Sequence, residues 1–518
     1  MKKIFLALVV FLCSVLTLTA RTARVWVEAE SFVRKGGWNV DQQFTFEMGS
    51  PYLIAHGMGS PVEDASTRVH FPHKGTYHIY VRTFNWTSPW SEQEGPGRFT
   101  LSIDGKPLQQ TMGHTGNRWM WQYAGTATVD KEAEVSLHDL TGFDGRCDAL
   151  WFTTDKDDIP PTEAGALETF RQRYDKSRIR HVEYDFVVVG GGIAGICASV
   201  AAARMGIKVA LINDRPIWGG CNSSETRVHL GGHIEMEPYP NLGNMIKEFG
   251  PLRIGNAQPA EFYEDEKKRA FLEAEKEHLD LYPSYRVYKT DCRNGKITAV
   301  YARHIEGGEI VRFQAPIYSD CTGDGTVGYL AGADFAMGRE GRNEYNEPSA
   351  PQNGDKMTMG ASVQWYSVED SSACAFPVFE YGVNFSDQSC QKVKMGEWTW
   401  ETGMNRDQCK EFERIRDYGL MVVYSNWSHL KNRLTDNSEY KNRKLGWVAY
   451  IAGKRESRRL LGDHVLTEND LIHEVKYPDA SFTTTWSIDL HYPDPKNSKH
   501  FPGNEFKSIC THGKTNPY

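Results

Sequence analysis

The sequence predicts a multidomain chain in which an N-terminal β-sandwich precedes a Rossmann-like α/β dinucleotide-binding domain carrying an inserted substrate region. Three observations predict this order. Residues 23–154 hold short alternating apolar runs separated by turn residues, with no long helical period. Residues 155–181 change composition to DKDDIPPTEAG and a charged stretch, and the Pro160-Pro161 pair marks a boundary. Residues 184–215, YDFVVVGGGIAGICASVAAARMGIKVALINDR, then read as strand, glycine-rich turn, helix and strand. A length of 518 residues leaves room for more than one hydrophobic core.

Residues 1–20 have the features of a secretory signal: Lys2 and Lys3, an apolar run from Ile4 to Leu18, then Thr19 and Ala20 before Arg21. This predicts a secreted or periplasmic protein, with association to an outer surface as a variant. No later run is long enough to span a bilayer, so no integral span is expected after signal removal. The chain has 59 basic and 67 acidic residues, a net charge of -8 that becomes -10 without Lys2 and Lys3. Nucleic acid is thereby excluded as a partner, since backbone binding needs concentrated positive charge. The 10 cysteines are widely spaced without a C-x-x-C pair, which excludes a small disulfide framework. No H-E-x-x-H, nucleophile elbow or Walker loop is present, so no hydrolase or nucleotidase motif competes. Oligomeric state is not set by any of these features.

Residues 21–155 are assigned to the sandwich. Its expected strands are Arg24 to Glu30, Arg68 to Phe71, Gly75 to Phe84, Arg98 to Ile103, Trp119 to Val129 and Ala133 to Leu137, with a hairpin turn at Asp104-Gly105. VEAES (Val27 to Ser31), HKGTYHIYVRTF (His73 to Phe84) and RCDALWF (Arg146 to Phe152) give this segment its character. It resembles the exported carbohydrate-binding-like sandwiches found beside polysaccharide-degrading enzymes. That resemblance implies a structural calcium held by Glu28, Glu30 and Asp148, a hard-oxygen set suited to the ion. Trp86, Trp90 and Trp119, with Trp121, are candidate platforms for a glycan, because an exposed indole stacks on a sugar ring. Core packing accounts for them equally well.

Residues 156–181 read as a linker whose charged part makes a short helix. The second domain, residues 182–360, opens on a buried strand, Phe186 to Val189. Gly190 allows a tight turn, Gly192 lets backbone approach a diphosphate, and Gly195 lets helix and strand pack closely. The helix Ile193 to Met205 turns its amino end to the phosphates, and Lys208 to Ile212 is the next strand. Asn213 and Asp214 follow Gly190 at roughly the 20-residue distance from which a side chain reaches an adenosine ribose; either its amide or the Asp214 carboxylate makes the contact. EFYEDEKKRAFLEAEKEH reads as a charged helix with Phe262, Phe271 and Leu272 as apolar contacts. A meander follows, Tyr285 to Lys289, Lys296 to Ala302 and Glu309 to Gln314, and leads into DCTGDG. Residues 361–445, aromatic-rich and short of regular periods, are the substrate region, with a helix from Asn405 to Tyr418. Residues 446–518 return to the core through a helix from Gly446 to Leu461.

Four separated stretches carry a second resemblance: WGGCNSSETRVHLGG (Trp218 to Gly232), DCTGDGTVGYLAGA (Asp320 to Ala333), GKRESRRLLGD (Gly453 to Asp463) and SIDLHYPDP (Ser487 to Pro495). In this order they resemble the exported FAD-dependent oxidoreductase family of the glutathione-reductase-like class. The resemblance implies a noncovalent FAD whose pyrophosphate lies over Gly190 to Gly195; the fingerprint alone leaves NAD open. Gly219 and Gly220 let backbone approach the ribityl and ring region, Ser223, Ser224 and Glu225 fix the adjacent loop, and Asp324 orients cofactor hydroxyls. The final strand and helix usual in that class do not follow before Tyr518.

For catalysis, His229, His233 and His491 are the acid–base candidates, because an imidazole near neutral pKa can take a hydroxyl proton as hydride leaves carbon. Asp489 shares a face with His491 in an extended segment and can orient it. Arg227 can hold a carboxylate or sugar hydroxyls. Cys221 has no second cysteine a few residues on, so dithiol chemistry is not expected. The expected function is oxidation of a saccharide or related hydroxylated substrate. The alternatives are a glycan-binding or surface-complex protein with a degenerate flavin domain, and a flavin-dependent reductase of an unsaturated acid.

Overall fold

The computed structural model describes residues 22–512 apart from 233, 234, 238, 251–253, 399 and 481–486. The signal segment expected over residues 1–20 therefore lies outside the described residues. No described helix is long and apolar enough to cross a membrane.

The alternating runs pair as antiparallel sheets. One joins Arg24–Glu28, Ala149–Thr153, Gly75–Thr83 and Met120–Val129 in that order, and the other joins Ala65–His70, Glu132–Asp139, Phe99–Ile103 and Lys106–Pro107. In Phe99–Ile103 the phenylalanine, leucine and isoleucine are buried while Thr100 and Ser102 are half-buried, which is how a period of two places one face on a core. That core is built from Tyr77, Ile79, Val81, Leu101, Val135 and Phe152. Gly75–Thr83 loses its alternation toward its end, where both faces are covered. The cover there is the linker helix Ala164–Gln172, whose Leu167 and Phe170 pack with Trp26, Trp121 and Trp151. Past it, Ile179–Glu183 pairs in parallel with Ile310–Gln314, so the tail of the expected linker is a strand of the next unit.

The α/β unit has a parallel sheet in the order Leu279–Tyr282, Val209–Ile212, Phe186–Val189, Ile317–Asp320. Its two central strands, Phe186–Val189 and Val209–Ile212, are continuous apolar runs because both faces are covered, whereas the outer strands Leu279–Tyr282 and Ile317–Asp320 carry polar residues and are partly exposed. The charged helix is shorter than expected, Asp265–Glu273; Phe271 and Leu272 are buried, but Phe262 lies in a preceding 3-10 turn and is exposed.

Two expected helices are corrected. Gly446 to Leu461 is not helical, because Arg443–Val448 pairs with Trp365–Glu369 and the chain then runs extended past Gly453, which bridges Ser362. The helix expected from Asn405 to Tyr418 runs instead from Phe412 to Asn432. Most of its residues are buried, Arg416 and Asp417 included, so its polar side as well as its apolar side is covered by neighbouring structure. Its core is shared with the sandwich: Phe44, Tyr52, Ile54, Trp86 and Phe143 pack in one cluster with Ile415, Leu420, Tyr424 and Trp427.

Candidate cofactor cleft

The three fingerprint glycines divide their work as the spacing predicts. Gly190 has φ 107°, and a Cβ there would meet the Cys321 carbonyl oxygen at 2.3 Å. A Cβ at Gly195 would lie 1.9 Å from the Gly190 oxygen, so helix and strand pack only because it is absent. At Gly192 a Cβ would find only Gly220 Cα, at 4.0 Å, leaving that backbone open for a ligand. The loop carrying Gly219 and Gly220 is paired to the fingerprint, the Gly219 N–H donating to the Gly191 oxygen at 2.8 Å. Helix Ile193–Arg204 starts at this point, and the first N–H groups of a helix have no partner within it.

Together these elements wall a cleft of about 390 Å³. It is lined by Gly190, Gly192, Asn213, Asp214, Gly220 and Asp324 among the residues expected at the cofactor. Gly195, Gly219, Ser223 and Ser224 stand behind the lining. Ser223 Oγ donates to the Gly220 oxygen, and the Ser224 N–H donates to Asp265, so both hold the loop, as does Glu225 through Arg215. Burial pushes the Glu225 carboxyl up to about 7 against the pull of Arg215.

The two residues expected at the ribose end differ in their hydrogen bonds. Asn213 accepts from the Gly191 N–H and donates to the Arg215 and Ile217 oxygens, which engages its whole amide. Asp214 keeps a carboxylate at the rim, paired with Arg286 at 3.2 Å. Asp324 accepts from Lys454 at 2.9 Å and Ser457 at 2.6 Å. Burial opposes its ionisation, but Lys454, Ser457 and Arg458 outweigh that and hold its pKa below the usual carboxylate value. The open backbone, the helix start and the rim carboxylate fit the adenine-linked diphosphate of FAD.

Behind the wall lies a charged cluster. Arg455 lines the cleft and donates to Glu401 at 2.9 Å and to Asp489 at 3.3 Å. His491, almost fully buried, sets Nδ1 2.5 Å from Glu401 Oε1 and Nε2 3.1 Å from Asp489 Oδ1, so Asp489 orients it as its register predicts. Burial works against the imidazolium, but the hydrogen bond and charge of Glu401 prevail and raise the His491 pKa. Asp489, His491 and Cys510 bring donor atoms within 4.8 Å of one another. Arg455 already occupies one face of this group through Asp489 and Glu401.

The other candidates lie elsewhere. His229 directs its N–H and Nδ1 to Asn256 and is not on the cleft wall, and His233 lies outside the described residues. Arg227 donates to the Ser224 and Gln258 oxygens and lies 3.9 Å from the Trp447 ring centroid, so its guanidinium is spent inside the fold. The tryptophans are not free platforms. Trp86 is fully buried and donates to the Phe143 oxygen; Trp90 packs on Tyr418; Trp119 donates to Glu413 of the long helix. Of the expected calcium set, Glu28 and Asp148 meet around a guanidinium, while Glu30 is buried with its Oε2 outside that pairing. Asp148 accepts from Arg82 at 2.7 Å, from Ser50 at 2.8 Å and from Arg171 of the linker helix, which also reaches Glu28 at 3.1 Å. With both Asp148 oxygens engaged, the set does not fit calcium, which needs several free oxygens. Lys454, Glu401, Arg215, Arg286 and two glutamines of the sandwich were not marked as cofactor or catalytic residues by the sequence. They are single residues without spacing, and only GKRESRR offered a signal.

Over 67 residues the chain is 39% identical to the aerobic glycerol-3-phosphate dehydrogenase of Staphylococcus aureus (strain USA300), a stretch covering 13% of this chain and 12% of that protein. It is similar to the solved structure of a geranylgeranyl bacteriochlorophyll reductase-like protein from Thermoplasma acidophilum, at 17% identity over 39% of this chain and 49% of that one, TM-score 0.24. It is also similar to a family 35 carbohydrate binding module from Clostridium thermocellum, at 18% identity over 25% of this chain and 96% of that one, TM-score 0.20. The family described as FAD dependent oxidoreductase matches residues 185–510, from the cradle strand to the ribbon that carries His491. That match and the diphosphate cradle agree, and the chain belongs to the FAD dependent oxidoreductase family.

Proposed function

We propose that the chain is an exported FAD-dependent oxidoreductase, of the glutathione-reductase-like class, that oxidises a saccharide or related hydroxylated substrate. The observation that carries this reading is the pairing of an open diphosphate cradle with Arg455 on its wall, which is tied to Glu401 and His491 behind it. FAD, when bound, supplies a two-electron acceptor for hydride from a substrate carbon. Gly190, Gly192 and the start of helix Ile193–Arg204 hold the diphosphate, and Asp214 takes the ribose end. Arg455, on the cleft wall, meets the substrate oxygen, and the hydroxyl proton passes to the cluster behind it, where His491 faces Glu401 through Nδ1 and Asp489 through Nε2. Arg455 turns the polarity of this cluster to the cleft. Export rests on the character of residues 1–20, and a hydroxylated substrate on the company that such sandwiches keep.

The raised His491 pKa also favours a second reading, in which the imidazolium donates a proton during reduction of an unsaturated acid. An intact cradle counts against a degenerate flavin domain in a glycan-binding protein. The test is an absorbance spectrum of the full-length protein followed by anaerobic titration. Bleaching of the flavin by one sugar class supports oxidation, whereas reoxidation of prereduced flavin by an unsaturated acid supports the second reading. Retained FAD that responds to neither overturns both.

A further inference from the structure

The sandwich does more than pack against the flavoprotein unit; it enters the cofactor cleft. The chain leaves strand Asn39–Asp41 and places Gln42 and Gln43 on the cleft wall. Gln43 Nε2 donates to the Tyr450 oxygen at 2.9 Å, and the Ala452 N–H donates to Gln43 Oε1 at 3.0 Å. A primary amide here replaces a neighbouring strand, satisfying the backbone of a segment that has no sheet partner at that point. Two and five residues past Ala452, that segment sends Lys454 and Ser457 to Asp324. The opposite rim is held by the preceding residue: Gln42 O accepts from Arg286 at 2.9 Å, and Arg286 pairs with Asp214.

The anchor beneath this stretch is rigid. Asp41 and Arg416 are paired at 2.8 Å with both side chains fully buried, and Arg416 also donates to the Tyr450 oxygen at 2.6 Å. A tethered glycan-binding module would make no such contacts. We propose that Gln43 is a positioning residue for FAD supplied by the sandwich: its amide fixes residues 450–452 so that the wall reaching Asp324 keeps the width the cofactor needs. This rests on FAD binding in the cleft.

The test uses the full-length protein stripped of flavin and titrated with FAD, binding being read from flavin fluorescence and the unfolding midpoint from circular dichroism of the flavin-free form. Gln43→Met keeps the bulk and removes the hydrogen bonds to Tyr450 and Ala452 together with a third, from Nε2 to Asp41 at 3.0 Å, and it should weaken FAD binding about tenfold or more while the midpoint stays near that of wild type. Gln43→Glu keeps the acceptor for Ala452 and loses the donor, so its loss should also be measurable if Gln43→Met does not fold. An exposed sandwich control, Gln110→Ala, should bind FAD as wild type does. Wild-type affinity in Gln43→Met and Gln43→Glu overturns the proposal alone. A wild-type chain that takes up no FAD overturns it together with the cofactor reading.

Discussion

The diphosphate cradle and the interface between the sandwich and the long helix Phe412–Asn432 solve the same problem, the burial of polar groups, by opposite means. In the cradle the polar groups are backbone N–H groups of neighbouring residues, and the material that makes room is missing side chains at Gly190, Gly192 and Gly195. At the interface the polar groups are whole charges. Arg146 is fully buried and donates to Asp417 at 2.7 and 2.8 Å and to Glu413 at 3.1 Å, across partners 271 and 267 residues away. Its guanidinium lies among Tyr52, Phe84 and Trp86. The cradle is therefore tolerant of sequence outside its glycines, while the interface depends on every partner, because an unpaired buried charge is costly.

The sharpest way to break this contrast is Arg146→Ala. It should cost about 3–5 kcal/mol of stability, read as a fall in denaturant midpoint, because Glu413 loses its guanidinium and Asp417 is left with Arg416 alone. A cost below about 1 kcal/mol would mean that the two units are loosely docked. Trp86→Ala should cost a similar amount, about 3–5 kcal/mol, by leaving a cavity in the shared core. Retention of the wild-type midpoint together with lost polysaccharide binding would restore the glycan platform instead.

Gly190→Ala should act on the cradle and little else. A side chain at φ 107° beside the Cys321 oxygen carries about 1–3 kcal/mol of strain, hence about a tenfold to hundredfold weaker hold on FAD in equilibrium dialysis. Unchanged FAD affinity would place the diphosphate elsewhere.

Glu401→Gln should move a pH profile. The folded pKa of His491 is raised, so its pairing contributes most below about 6.5, its unfolded value, and that contribution is lost as pH rises through the folded value. Removing the Glu401 charge lowers the folded value, and the acidic limb of kcat/KM should shift to lower pH. An unmoved limb would take His491 out of the proton transfer. The smallest effect is expected at Arg34→Ala, where an exposed pair with Glu134 at 3.4 Å should contribute under about 1 kcal/mol. A large loss there would blur the distinction between interface and surface charges.

Local order set what the sequence could disclose. The strand Phe186–Val189, the turn at Gly190 and the helix from Ile193 are specified by residues within one window, because tight turns exclude side chains and apolar periods report burial. The alternation of Phe99–Ile103 disclosed the sandwich for the same reason. What covers a face is a different question. Trp86 and Trp119 carry the same chemistry whether they meet a sugar or a helix, and Glu28 and Asp148 carry the same charge whether calcium or Arg171 lies between them. Helix Phe412–Asn432 escaped a periodic reading because its polar residues are buried as well as its apolar ones. Only the assembled chain brings Asp41 to Arg416, Gln43 to Ala452 and Arg455 to Glu401, since these pairs are joined by packing across hundreds or tens of residues and leave no spacing in the sequence.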